Sequence, residues 1–219
     1  MKLTNLFKDR YNLTILALVA IFFLIPFLEK NLFIIPVTSL IFPPVLILSF
    51  RILALPSKHF WYLILLTILA FCLDLLVIFI LNPVLEVLLT IVIHWIYAFC
   101  FIVCLWVLIK GLYAPDANPK SLLKAGVCGY FLIGLLWTVL YSFAYILSPR
   151  AFLDVRAEIV RFFYLSFSSL SLLTSGESLE VFGSWIKCLA TLEAMAGQIF
   201  LVLLIIRLVV LFKSYEGRG

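Results

Sequence analysis

The sequence predicts an all-α integral membrane protein with six transmembrane helices and a re-entrant helix and loop between spans five and six. Three observations carry this expectation. Of the 219 residues, 66% are apolar and only 12% charged, with a mean hydropathy of +1.25, a balance that soluble globular domains do not have. The apolar stretches are continuous rather than alternating, which selects spanning helices over a transmembrane barrel. One late apolar stretch, near 157–172, is too short to cross a hydrocarbon core about 30 Å thick.

The spans follow in order. The first covers roughly 12–28. It follows Lys2, Lys8 and Arg10 as a signal peptide would, but no small-residue cleavage pattern comes after it, so it reads as a retained span. The second, roughly 32–55, carries Pro36, Pro43 and Pro44, which membrane helices tolerate with a kink or break. The third, about 60–81, is entered by the aromatic belt His59-Phe60-Trp61-Tyr62. The fourth, about 86–109, follows the Asn82-Pro83 turn. A polar, proline-rich linker then runs from Ala114 to Lys120 and divides the chain into 1–113 and 114–219. The second unit holds span five at 121–147, the re-entrant stretch, and span six at 184–212.

Charge sets an orientation. With both termini in the cytoplasm, eleven of the sixteen Lys and Arg residues fall inside, so the positive-inside rule favours that arrangement. The net charge of +5 therefore reads as topology rather than as a nucleic-acid footprint. Other classes are disfavoured. Span four has no Lys or Arg between Glu86 and Lys110, so it lacks the charges of a voltage sensor. No internal repeat relates spans one to three with four to six, as inverted-repeat transporters usually show. No enzymatic motif stands out among two histidines, and no cofactor is expected. Cys100 and Cys104 share a helix face, where small apolar packing is the simpler role than a metal or redox pair.

A few polar residues fall inside the membrane. Asp74 and His94 flank the Asn82-Pro83 turn at comparable depth, which suits either a proton-sensitive pair or a static bond across the hairpin. Glu193 lies some ten residues into span six, where a carboxylate must be neutral, paired or wet. Trp137, Thr138 and Tyr141 of span five lie level with it, and structural bonding is favoured over ion coordination. Gly197 sits in a small-residue stripe with Ala190 and Ala194, which reads as close packing or as a gating hinge.

The stretch 158–213 combines a short Ser-rich apolar helix, the turn Thr174-Ser175-Gly176-Glu177 and a full span. That is the layout of a pore helix and pore loop. Three segments, AGVCGYFLIGLLWTVLYSFAYILSP (125–149), FYLSFSSLSLL (163–173) and CLATLEAMAGQIFLVLLIIRLVVL (188–211), resemble the pore module of two-span bacterial potassium channels. The last, with its L-E-A-x-x-G-Q core, is the most specific. The resemblance is nearest to small bacterial channel-like proteins with added N-terminal spans.

This resemblance implies a homotetramer around a central path. Each copy would supply a pore helix whose C-terminal end favours a cation, and a loop that offers carbonyls. It also implies monovalent cations, potassium among them, as the permeant partners, with the lipid bilayer of the cell inner membrane as surroundings. The filter pattern T-x-G-Y-G-D is met here by Leu172, Leu173, Thr174, Ser175, Gly176 and Glu177, so only the second glycine is kept. A β-branched Thr174 at a glycine position and Ser175 in place of the aromatic ring do not build standard potassium sites. Ser171, Thr174 and Ser175 would instead line a wider cation path, with Glu177 as an acidic ring. The alternative is a non-conducting scaffold or regulatory subunit that retains the fold.

Overall fold

The computed structural model describes residues 10–30, 37–52, 57–80, 82–113, 119–147, 159–173 and 183–216. These residues form seven helices: α1 (Arg10–Lys30), α2 (Val37–Ile52), α3 (Ser57–Val77), α4 (Pro83–Leu112), α5 (Pro119–Leu147), α6 (Ile159–Leu170) and α7 (Ser184–Glu216). No strand occurs among them. Four stretches are long and apolar enough to cross a membrane: Lys58–Val77, Pro83–Leu112, Ser121–Leu147 and Ser184–Lys213. Tyr11–Leu24 and Ile41–Arg51 are shorter apolar helical stretches. The chain is thus a multi-pass membrane protein whose helices meet the spanning criterion at four places, against an expectation of six.

Helix boundaries have local causes. Asn82 caps α4, its side chain accepting from the Val84 N–H at 3.0 Å, and Pro83 takes the first helical position, where a missing N–H costs nothing. The fourth apolar helix therefore begins three residues earlier than the hydropathy alone marks. Helix α2 runs through Pro43 and Pro44, and its bounds are narrower than the predicted second span. Pro36 and the linker residues Ala114 to Asn118 lie outside the described residues.

Helix α5 is the hub, packing against α1, α4, α6 and α7. Lipid tails are as apolar as leucine, so these contacts are held by close dispersion packing and by polar bonds rather than by exclusion of water. Small residues on α5 allow the approach: Gly126 lies under Leu204, Gly129 under Phe200 and Gly134 under Phe167. Phe22 of α1 reaches the same place, its ring centroid 4.6 Å from Phe167 and 4.8 Å from Phe163. Packing therefore crosses the boundary drawn at residue 113. Helix α7 is different. It buries one narrow stripe, including Ile186, Ala190, Glu193, Gly197, Phe200 and Leu204, and leaves most of its circumference exposed.

Candidate functional site

Helix α6 has twelve residues, about 18 Å at 1.5 Å per residue, so it cannot cross the core alone. It is wedged between α5 and α7. Its buried face combines Phe162, Phe163, Leu165 and Leu170 with Ser166 and Ser169. Tyr141, Phe162, Leu165 and Ile186 form a small apolar cluster that joins the three helices.

The C-terminal turn of α6 is closed on itself. Leu172 has φ of 58°, the left-handed conformation that usually needs glycine. This geometry turns the Leu173 N–H onto the Ser168 carbonyl at 2.9 Å and the Leu172 N–H onto the Ser169 carbonyl at 3.1 Å. The Phe167 carbonyl takes the Ser171 N–H at 3.1 Å and the Ser171 hydroxyl at 2.7 Å. The Leu170 carbonyl accepts from the Tyr130 phenol at 3.0 Å. Each of the last four carbonyls of the helix thus has a donor, and the negative end of its dipole is turned onto protein hydrogens.

Glu193 organises the opposite face of α6. It is fully buried. Its Oε2 accepts from the Tyr141 phenol at 2.7 Å, and its Oε1 meets the Ser166 hydroxyl at 2.5 Å. The Ser166 hydroxyl also faces the Gly134 carbonyl at 2.7 Å. Ser166 has one proton for two neighbours, and the Gly134 carbonyl can only accept. When Ser166 donates to Gly134, its contact with Glu193 requires a hydrogen on the carboxyl. A neutral Glu193 then donates from Oε1, accepts at Oε2 and completes the network without a charge in the membrane interior. The Ser169 hydroxyl also bonds Tyr141. Three helices are pinned through one side chain.

The other sequence-derived candidates are placed as follows. Gly197 lies against α6: a Cβ there would stand 2.5 Å from Leu170 Cδ1, and α7 stays helical through this position. The residue thus permits close packing, the simpler of its two expected roles. Thr138 bonds back to the Gly134 carbonyl rather than to Glu193. Of the filter-like residues, Ser171, Leu172 and Leu173 are exposed, whereas Thr174, Ser175, Gly176 and Glu177 lie outside the described residues.

Asp74 and His94 are both buried. His94 Nδ1 contacts the Thr90 carbonyl at 2.8 Å and so carries the proton, while Nε2 meets the Ser142 hydroxyl at 2.8 Å. The histidine thus joins α4 to α5. Sequence reasoning did not single out Ser142, Ser166 or Tyr130. The signal for Ser166 was its placement three residues before Ser169 on a short apolar helix, which puts both on one face. Tyr97, buried beside Phe42, has the one buried side-chain polar atom without a hydrogen-bond partner among the described residues.

No family model, curated protein or solved structure matches this chain. The channel-like resemblance therefore rests on the residues quoted above.

Proposed function

We propose that the chain is a subunit of a pore-loop cation channel of the potassium-channel-like type, with α1 and α2 completing six spans and α6 serving as the re-entrant pore helix. The observation that supports this reading is the clamp on α6. A helix too short to span is fixed between two spanning helices by Glu193, Tyr141 and Tyr130, the support that a loop needs to hold a defined position in a membrane. Assembly of four copies would bring the 171–177 loops together around an axis. Arg51, Lys58, Lys110, Lys124 and Lys213 lie in the end turns of helices assigned to the cytoplasmic side, which supports cytoplasmic termini; the surrounding bilayer would be a cell inner membrane. Transport would be passive and without cofactor, the loop passing monovalent cations with weak preference among them.

A second reading, a non-conducting scaffold or regulatory subunit, is favoured by one specific observation. The carbonyls that end α6 are occupied by Leu172, Leu173, Ser171 and Tyr130, and the first loop side chains are leucines. A cation at that end would meet satisfied carbonyls and apolar surface. Ion flux from liposomes loaded with potassium, sodium or a large organic cation separates the two readings. Protein-dependent release supports the channel, and release equal to that of empty vesicles supports the scaffold.

A further inference from the structure

We propose that α7 carries a self-association seam on which a second copy of this chain docks, with the Gln198 amides of neighbouring copies hydrogen-bonded to one another. The proposal deepens the channel reading and rests on it for the number of copies.

Gln198 is fourteen residues past Ser184 and fifteen before Lys213, so it lies about 21 Å and about 22 Å from the two ends of the span, at the middle of the membrane. It is exposed and makes no side-chain hydrogen bond among the described residues. An amide left unpaired in hydrocarbon is costly, because lipid tails have nothing to offer it. Glu193 is the contrast. Five residues earlier on the same helix, and about 140° around it, that carboxyl is sealed and fully bonded within the chain. Helix α7 therefore has two polar faces, one satisfied internally and one turned outward.

The surroundings of Gln198 specify the occupant. Thr191, Met195, Gln198, Val202, Ile205 and Val209 are all exposed and follow one another at alternating steps of four and three. That is the 3.5-residue repeat of a helix seam, with β-branched residues in one half and a single amide near its centre. The Thr191 hydroxyl is already committed to the Lys187 carbonyl at 2.9 Å, which leaves the amide as the polar group that requires a partner. An amide is both donor and acceptor, so it is complementary to itself. A second copy of α7 presents the same group at the same depth. One polar residue in an apolar seam also fixes register.

The test uses the full-length protein in liposomes and in detergent. A photo-crosslinking amino acid at position 198 should join chains, whereas the same probe at the exposed Trp95 of α4 should not. Gln198→Leu should lower about tenfold the detergent-to-protein ratio at which assemblies dissociate, while Gln198→Asn should stay near wild type. Equal helix content in all variants removes misfolding as a cause. If assemblies form but ignore Gln198→Leu and give no chain-to-chain product at 198, the seam is overturned and the pore reading stands. If the wild-type chain is monomeric in liposomes and passes no ions, both fall.

Discussion

The Tyr141 phenol donates to Glu193 Oε2 across 2.7 Å in the closed interior between α5 and α7, and the other carboxyl oxygen reaches Ser166 on α6. One acid therefore couples two long helices to a short one. Glu193→Gln preserves the shape and both bonding directions, because its amide can donate to Ser166 and its carbonyl can accept from Tyr141. Glu193→Ala takes the acceptor from the Tyr141 phenol proton and leaves the Ser166 hydroxyl with the Gly134 carbonyl alone. Thermal unfolding in detergent should show Gln near wild type and Ala destabilised by about 1–3 kcal/mol. A Gln variant as unstable as Ala would refute a neutral, hydrogen-bonding role.

Leu172 holds a backbone conformation that glycine adopts without strain. Its side chain is exposed, so little packing is lost when it is removed. Leu172→Gly should therefore leave the protein equally stable or stabilise it by up to about 1 kcal/mol, in contrast to most leucine truncations. Denaturation midpoints of Leu172→Gly and Leu172→Ala, compared side by side, check this. Alanine keeps the strain and should fall below glycine.

Gly197 and Leu170 form a lock between α7 and α6. Gly197→Ala introduces a methyl group 2.5 Å from Leu170 Cδ1, so the buried leucine must shift, and the variant should lose up to about 2 kcal/mol after the gain of about 1 kcal/mol in helix propensity. Adding Leu170→Ala relieves the overlap, and the double variant should recover part of that loss. Strict additivity of the two changes would show that the contact is not the cause.

Much of this arrangement was legible in the sequence, for physical reasons. A carboxylate in an apolar run demands partners, and tyrosine on the adjacent span at the same depth is a natural one, so the Tyr141–Glu193 neighbourhood follows from depth counting. The glycines of α5 mark where other helices approach. Ser166 was hidden because composition does not fix the rotation of a twelve-residue helix between two neighbours. The closed end of α6 was hidden because leucine is an unfavoured choice for a left-handed residue. The His94–Ser142 contact was hidden because depth counting compares residues that flank one turn, whereas Ser142 lies 48 residues further on, on another helix.

Ser142→Ala should cost about 1 kcal/mol by removing the partner of His94 Nε2, and the loss should vanish when His94 is also replaced. A double-mutant cycle on unfolding free energies measures this coupling. A coupling near zero would mean that the contact contributes nothing to joining α4 and α5.

The proposed function has the loop after α6 pass cations without standard potassium sites. Purified protein in a planar bilayer, with potassium on one side and sodium on the other, tests it directly through the reversal potential. A channel of this kind should give a cation current whose potassium-to-sodium permeability ratio stays below about tenfold, the discrimination that corresponds to about 1.4 kcal/mol. A strongly potassium-selective current, or a bilayer that remains silent, would contradict it.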